Sequence, residues 1–118
     1  MRPNERDAAY LWDMLEAARN VANMVAGKTF VDYENDLVLR SAVERQVEIL
    51  GEAANHVSIE FQNAHSQIPW RQIIGQRNIL AHEYKDIAAK LIWTVGTERI
   101  PDLVKALEPL VPKAPGSL

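Results

Sequence analysis

The 118-residue chain contains no cysteine. That excludes a disulfide framework and every thiolate metal site, and it fits a reducing cytosol. There is no run of about 18 apolar residues, and the start, from Arg2 to Asp7, is charged, so neither a signal peptide nor a membrane span is expected. Positive charge is not in excess: thirteen Lys and Arg against sixteen Asp and Glu give a net charge of −3. This argues against a broad electrostatic footprint on nucleic acid and confines any such chemistry to a local site. Sustained alternation of apolar and polar residues is also missing, so no half-buried strand is expected. What remains is a soluble, cytoplasmic, all-α protein, its length suiting one domain over residues 1–111 and its last residues, 112–118, forming a frayed tail.

The apolar residues recur at intervals of three and four. Asp7 opens a first helix with Leu11, Leu15, Ala18, Ala22 and Val25 on one stripe, and Gly27 closes it from the position just past the end. Lys28 to Asp36 reads as a connector. Asp32 or Asp36 caps a long second helix on which Leu39, Val43, Val47, Leu50, Ala54 and Val57 form a near-heptad stripe suited to antiparallel packing. Gly51 within that stripe marks the close approach of another backbone. Ser58 to Gln67, polar and aperiodic, reads as the longest loop. Pro69 suits the first turn of a third helix, which runs toward Tyr84 with Gly75 in its middle. Asp86 reads as the cap of a fourth helix with Ile87, Leu91, Trp93 and Val95. Pro101 either kinks the chain there or sits in the first turn of a last helix with Leu103, Leu107 and Leu110. The expected fold is an up-down antiparallel bundle of four to five helices.

One segment concentrates chemistry. Arg77-Asn78-Ile79-Leu80-Ala81-His82-Glu83-Tyr84 places a cation, an imidazole and a phenol within two helical turns, the groups that phosphodiester chemistry uses. At about 100° per residue Arg77 falls within about 20–40° of Trp70, Ala81 and Tyr84, on the apolar stripe of its own helix, where a guanidinium needs a partner. Taken singly, each group has an ordinary structural reading: His82 as a helix-end packing residue, Tyr84 as an amphipathic core residue, Arg77 as one half of an ion pair. Their coincidence beside Asn78 is harder to explain that way. Glu44, Glu48 and Glu52 form a carboxylate row at four-residue spacing, read as a solvated face paired with Arg45 or Arg77 rather than as a metal or acid/base site. His56 and His65 lack cysteines and His-x3-His spacing, so no metal site is expected. Trp12, Trp70 and Trp93 read as core aromatics rather than base-stacking platforms.

On an uninterrupted helix His82 lies about 140° around the axis from Arg77, and one helix does not easily aim both at one phosphate. Either the helix breaks near Ala81, or the reactive set is completed across a two-fold interface by a second copy.

Arg77, His82 and Tyr84 match the Arg-x4-His-x-Tyr motif, and on this motif the chain resembles the HepT-type toxins of the HEPN superfamily, with Asn78 as the polar residue often found after the arginine. Glu44-Arg45 and Ile49-Leu50-Gly51-Glu52-Ala53-Ala54 look like that group's second-helix pattern. Ile68-Pro69-Trp70 looks like its lead-in to the motif helix, and Asp7 with Tyr10-Leu11-Trp12-Asp13-Met14-Leu15 looks like its opening, so the likeness runs from Asp7 to about Val111. The resemblance implies a helical bundle that dimerises through facing motif helices and cleaves RNA without a metal or other cofactor. It also implies a toxin–antitoxin pair whose second member is a minimal nucleotidyltransferase able to attach AMP to Tyr84. In the mechanism expected from these groups, two copies of His82 act as base and acid, Arg77 grips the phosphate, Asn78 and Tyr84 position the substrate, and a 2′,3′-cyclic phosphate is produced. The alternative is a non-catalytic helical module that docks on a nucleotidyltransferase.

Overall fold

The computed structural model describes residues 2–82 and 85–112, and every regular element among them is helical. Helix α1, Glu5–Val25, begins two residues before the expected Asp7, because the Asn4 side chain accepts a hydrogen bond from the Asp7 backbone N–H at 2.7 Å and so caps the first turn. It ends where Gly27 adopts φ 72°, a left-handed conformation that glycine takes without strain. Helix α3, Leu37–His56, is capped by Asp36, whose carboxylate accepts from the Leu39 N–H at 3.0 Å. The two pack antiparallel. Asp7 meets Ser58, the rings of Tyr10 and His56 stack at 4.9 Å, and the Asn20 amide donates to Gln46 Oε1 at 3.2 Å, so partners descend toward α3's start as they ascend α1.

Two short helices replace expected loops. Helix α2, Phe30–Asn35, lies inside the expected connector and is nucleated by a reciprocal capping box: the Thr29 N–H donates to Asp32 Oδ2 at 2.9 Å and the Asp32 N–H to Thr29 Oγ1 at 3.1 Å. These bonds from Thr29 hold the exposed Asp32 carboxyl below its ordinary pKa. Tyr33 then packs, fully buried, against Trp93 at 5.4 Å between ring centres. Helix α4, Ile59–Ala64, occupies the stretch read as the longest loop. Ser58 caps it through the Phe61 N–H at 3.2 Å, and its one buried residue, Phe61, sits against His65 and Trp70.

Helix α5, Trp70–His82, follows Pro69 as expected, with the Ile73 N–H closing its first turn on the Pro69 carbonyl at 3.0 Å. Helix α6, Lys85–Thr94, has Asp86 in its first turn rather than as its cap. It runs into a π-helical turn, Val95–Arg99, and then α7, Ile100–Leu107, with a closing 3-10 turn at Glu108–Leu110. Of the two expectations for Pro101, the first-turn position is the one found. It sits in the first turn of α7, and because it has no N–H for the carbonyl four residues back, the preceding turn widens so that the Ile100 N–H reaches Val95 O. The hydroxyls of Thr94 and Thr97 donate back to the Lys90 and Trp93 carbonyls at 3.1 and 2.8 Å. In this turn Gly96 lies so close to α1 that a Cβ would stand 3.2 Å from a Val21 methyl.

The result is the expected all-α bundle: four rods, namely α1, α3, α5 and the α6–α7 rod, with two short helices at their connections. One cluster of buried apolar side chains, including Leu11, Met14, Val43, Leu50, Ile92 and Leu107, joins them. Among the described residues no helix is long and apolar enough to cross a membrane. Helix α5 packs on α3 and α6 and leaves its remaining face outward, which decides what the motif helix offers to solvent.

Candidate functional site

Helix α5 is unbroken from Trp70 through His82, so of the two alternatives for the motif, a helix break near Ala81 is not the one adopted. The backbone positions of Arg77 and His82 therefore stand about 140° apart around one axis. On the inner arc Trp70, Ile73 and Gln76 are buried, and the position of Arg77 falls between those of Trp70 and Ile73. On the outer arc Arg71 and Asn78 are exposed and Gly75 is half-buried, and the position of His82 falls among them. The side chains of Arg77 and His82, and the whole of Tyr84, lie outside the described residues. Asn78 is exposed, free to meet a ligand at the protomer's surface.

Ala81 departs from expectation. Its angular position belongs to the apolar stripe, yet it is exposed. The stripe is closed at its Trp70 end, where the indole N–H donates to the His65 carbonyl at 3.0 Å, and is uncovered at Ala81.

Gln76 was not singled out from the sequence. It is 5 % exposed, and among the described residues its Oε1 has no hydrogen-bond partner, an uncommon state for a buried amide. The signal was there in its spacing, three residues after Ile73 and six after Trp70, which puts an amide on the buried arc.

The other candidates have structural roles. Arg45 and Glu48 form an exposed ion pair at 3.4 Å, one turn apart on α3, as the solvated-face reading expects. His56 stacks on Tyr10 with an interplanar angle of 16°, and His65 packs against Phe61 at 4.3 Å. Of the three tryptophans Trp70 is buried, while Trp12 and Trp93 are half-buried.

Comparison with known proteins gives the site its context. The family described as "Ribonuclease HepT-like" matches residues 14–110, a span that contains the whole of α3 to α7 and the motif. A protein of Methanocaldococcus jannaschii named "Putative RNase" is 34% identical over 106 residues, 89% of this chain and 97% of the relative. One of Caldanaerobacter subterraneus subsp. tengcongensis with the same name is 36% identical over 104 residues, covering 88% and 93%. The "Probable ribonuclease HepT" of Thermococcus cleftensis is 32% identical over 110 residues, covering 93% and 98%. No solved structure matches. A match across the bundle, with relatives aligned over nearly their full lengths, means that this chain belongs to the HepT-like family of the HEPN superfamily.

Proposed function

We propose that the protein is a metal-independent endoribonuclease toxin whose composite site forms where the α5 helices of two copies face each other. The observation that carries this is the unbroken motif helix. Arg77 and His82 on one continuous α5 stand on different arcs, so a second copy is the simplest way to bring both groups to one phosphate. Membership of a family described by ribonuclease activity supports the chemistry, and exposed Ala81 at the open end of the apolar stripe supports a partner there.

The reaction needs a base for the 2′-hydroxyl proton, an acid for the leaving 5′-oxygen and positive charge for the pentacoordinate transition state. The two copies of His82 fill the first two roles and Arg77 the third, by bidentate hydrogen bonds to the phosphate oxygens. Attack of the 2′-oxygen on phosphorus breaks the bond to the 5′-oxygen and leaves a 2′,3′-cyclic phosphate. Asn78 orients the substrate, and Tyr84 borders the cleft. A nucleotidyltransferase antitoxin silences the toxin when the Tyr84 phenol oxygen attacks the α-phosphorus of ATP and pyrophosphate leaves, placing a bulky anion at the cleft.

The test compares cleavage of RNA by wild type, Arg77→Ala and His82→Ala in the presence of a chelator, each shown folded and dimeric. Both variants are expected to lose roughly 10²- to 10⁴-fold in kcat/KM. Equal activity in all three, or none in the wild type on any RNA, rejects the enzyme and leaves the docking-module alternative. Incubation with the antitoxin and ATP is expected to add one AMP to the wild type and none to Tyr84→Phe.

A further inference from the structure

The turn of α5 just before the motif contains two residues that the packing of the protomer does not account for, Gly75 and Gln76. We propose that they are positioning residues: together they leave the second half of α5 loosely held, so that contact with a second copy, rather than the protomer's own core, sets where Arg77 and His82 stand. The inference rests on the ribonuclease reading and adds to it how the composite site reaches its working geometry.

Gly75 lies in the middle of a 13-residue helix, where glycine is less favourable than alanine because it gives up more backbone freedom on folding. Its conformation does not call for glycine, since the glycine with a positive φ among the described residues is Gly27. Its packing does not either. A Cβ at Gly75 would meet no heavy atom within 4 Å outside the backbone of its own helix, whereas one at Gly96 would press on Val21 at 3.2 Å.

Gln76 is the next residue, about 100° further round the same turn. It is buried, and among the described residues its Oε1 has no partner. Ile73 and Ile79, three residues to either side, are apolar and offer it no side-chain donor. An apolar side chain of the same length would pack there at lower cost, because a buried acceptor without a donor keeps its full desolvation penalty. Asp7, the other buried polar side chain among the described residues, shows the contrast: both of its oxygens accept from Ser58.

The position of this pair along α5 gives it a role. Before it the helix is anchored, with Trp70 and Ile73 buried, the indole N–H bonded to the His65 carbonyl and the Phe61 ring edge-on to Trp70 at 6.3 Å. After it Asn78 and Ala81 are exposed and Ile79 is half-buried. Gly75 thus weakens the backbone on the outer arc, and Gln76 weakens the docking on the inner arc, in the turn that joins the anchored half to the motif. A shift between two states needs an interaction that differs between them. The Gln76 carbonyl supplies one, since it is unpaired in the protomer and gains a water donor once the motif end tilts toward a second copy. A site shared by two protomers benefits from such adjustment, because a misplacement of about 1 Å can cost about 10²-fold in rate.

Hydrogen exchange and cleavage are measured separately on the full chain. In dilute wild type the backbone amides of residues 77–82 are expected to exchange about tenfold or more faster than those of Ile73 and Ile74, and to slow by about tenfold as the chain self-associates at higher concentration. Gly75→Ala and Gln76→Met are each expected to raise Tm by about 4 °C. Combined, they are expected to slow exchange at residues 77–82 by about tenfold in dilute solution, so that concentration then changes it little. At saturating RNA the double variant is expected to lose about tenfold in kcat, with KM within about twofold and the dimer fraction unchanged. A purely structural role would leave the stabilised variant at least as active as wild type. Full activity in the double variant, exchange at residues 77–82 that the substitutions do not slow, or a lower Tm in either single variant overturns the proposal. If the wild type cuts no RNA yet residues 77–82 tighten both in the double variant and on self-association, the nuclease reading falls and the loose segment stands. If His82→Ala abolishes cleavage while the double variant cuts RNA as wild type does, the loose segment falls and the nuclease stands.

Discussion

Replacing Asp7 by alanine is expected to cost the fold about 3 kcal/mol, more than an acidic residue in the first turn of a helix would suggest. Asp7 is 2 % exposed, and its two oxygens accept hydrogen bonds from the Ser58 N–H at 2.8 Å and the Ser58 hydroxyl at 2.6 Å. Hydrogen bonds to a charged group contribute about 1.5–3 kcal/mol each, and truncating the acceptor strands both donors. The sum is reduced because the carboxylate no longer has to be desolvated, which brings the net to about 3 kcal/mol. Ser58 Oγ in turn accepts from the Phe61 N–H at 3.2 Å, so the clasp ties the start of α1 to the start of α4. Ser58→Ala removes only the hydroxyl, leaving the backbone N–H bond to Asp7, and is expected to cost about 1–2 kcal/mol as a lost cap. In a double-mutant cycle the two are expected to couple by about 1–2 kcal/mol, the worth of the hydroxyl–carboxylate bond alone. Urea unfolding at neutral pH reads all three quantities, and Asp7→Ala should also lower Tm by roughly 12 °C at about 4 °C per kcal/mol for a domain of this size. A loss below about 1 kcal/mol, or a coupling energy indistinguishable from zero, refutes the clasp.

Gln76→Met keeps the length of the side chain and removes the carbonyl oxygen that lacks a partner, so it is expected to stabilise the protein by about 1 kcal/mol. A loss of more than about 1 kcal/mol by thermal unfolding would mean that the amide is engaged after all. Burial, with the neighbouring Glu44 carboxylate second, pushes the Tyr33 phenol from its ordinary 10.0 up to about 12. A raised folded-state value means that the stabilising effect is whole below about pH 10 and is lost as pH climbs through about 12, to a total of roughly 3 kcal/mol. The stability difference between wild type and Tyr33→Phe is therefore expected to shrink or reverse between pH 9 and pH 11.5, and a constant difference over that range counts against the buried neutral phenol.

The long helices were legible because their stripes are long. Leu39, Val43, Val47, Leu50 and Ala54 repeat over enough turns for the 3.6-residue period to stand out, and local caps such as Asp36 mark the ends. Helices α2 and α4 were not legible by that means. Six residues contain too few apolar positions for a period, and each buries a single anchor, Tyr33 or Phe61. Their signals were chemical: Thr29 three residues before Asp32, and Ser58 three before Phe61, both cap spacings. The π turn before Pro101 was visible only as a pair of alternatives, since a missing proline N–H does not by itself say whether the helix widens there or restarts. Along α5 the motif was evident from spacing, while the exposure of Ala81 was not. A helical wheel assigns a face but does not say how far along the axis the neighbouring helices cover it.

The extent of that cover bears on how a small acidic protein handles RNA. With net charge −3 spread over the chain, long-range attraction to a polyanion is weak, and affinity has to come from short-range contacts in a place where carboxylates are absent. Helix α5 divides its circumference between packing and solvent. Its inner arc, with Trp70, Ile73 and Gln76, anchors it to α3 and α6, and its outer arc, from Arg71 past Gly75 and Asn78, stays open. The outer arc carries the His82 position, while the Arg77 position lies about 140° away. On the proposed reading the guanidinium at the scissile phosphate then comes from the second copy, so the geometry that makes one protomer incomplete also makes cleavage depend on the dimer.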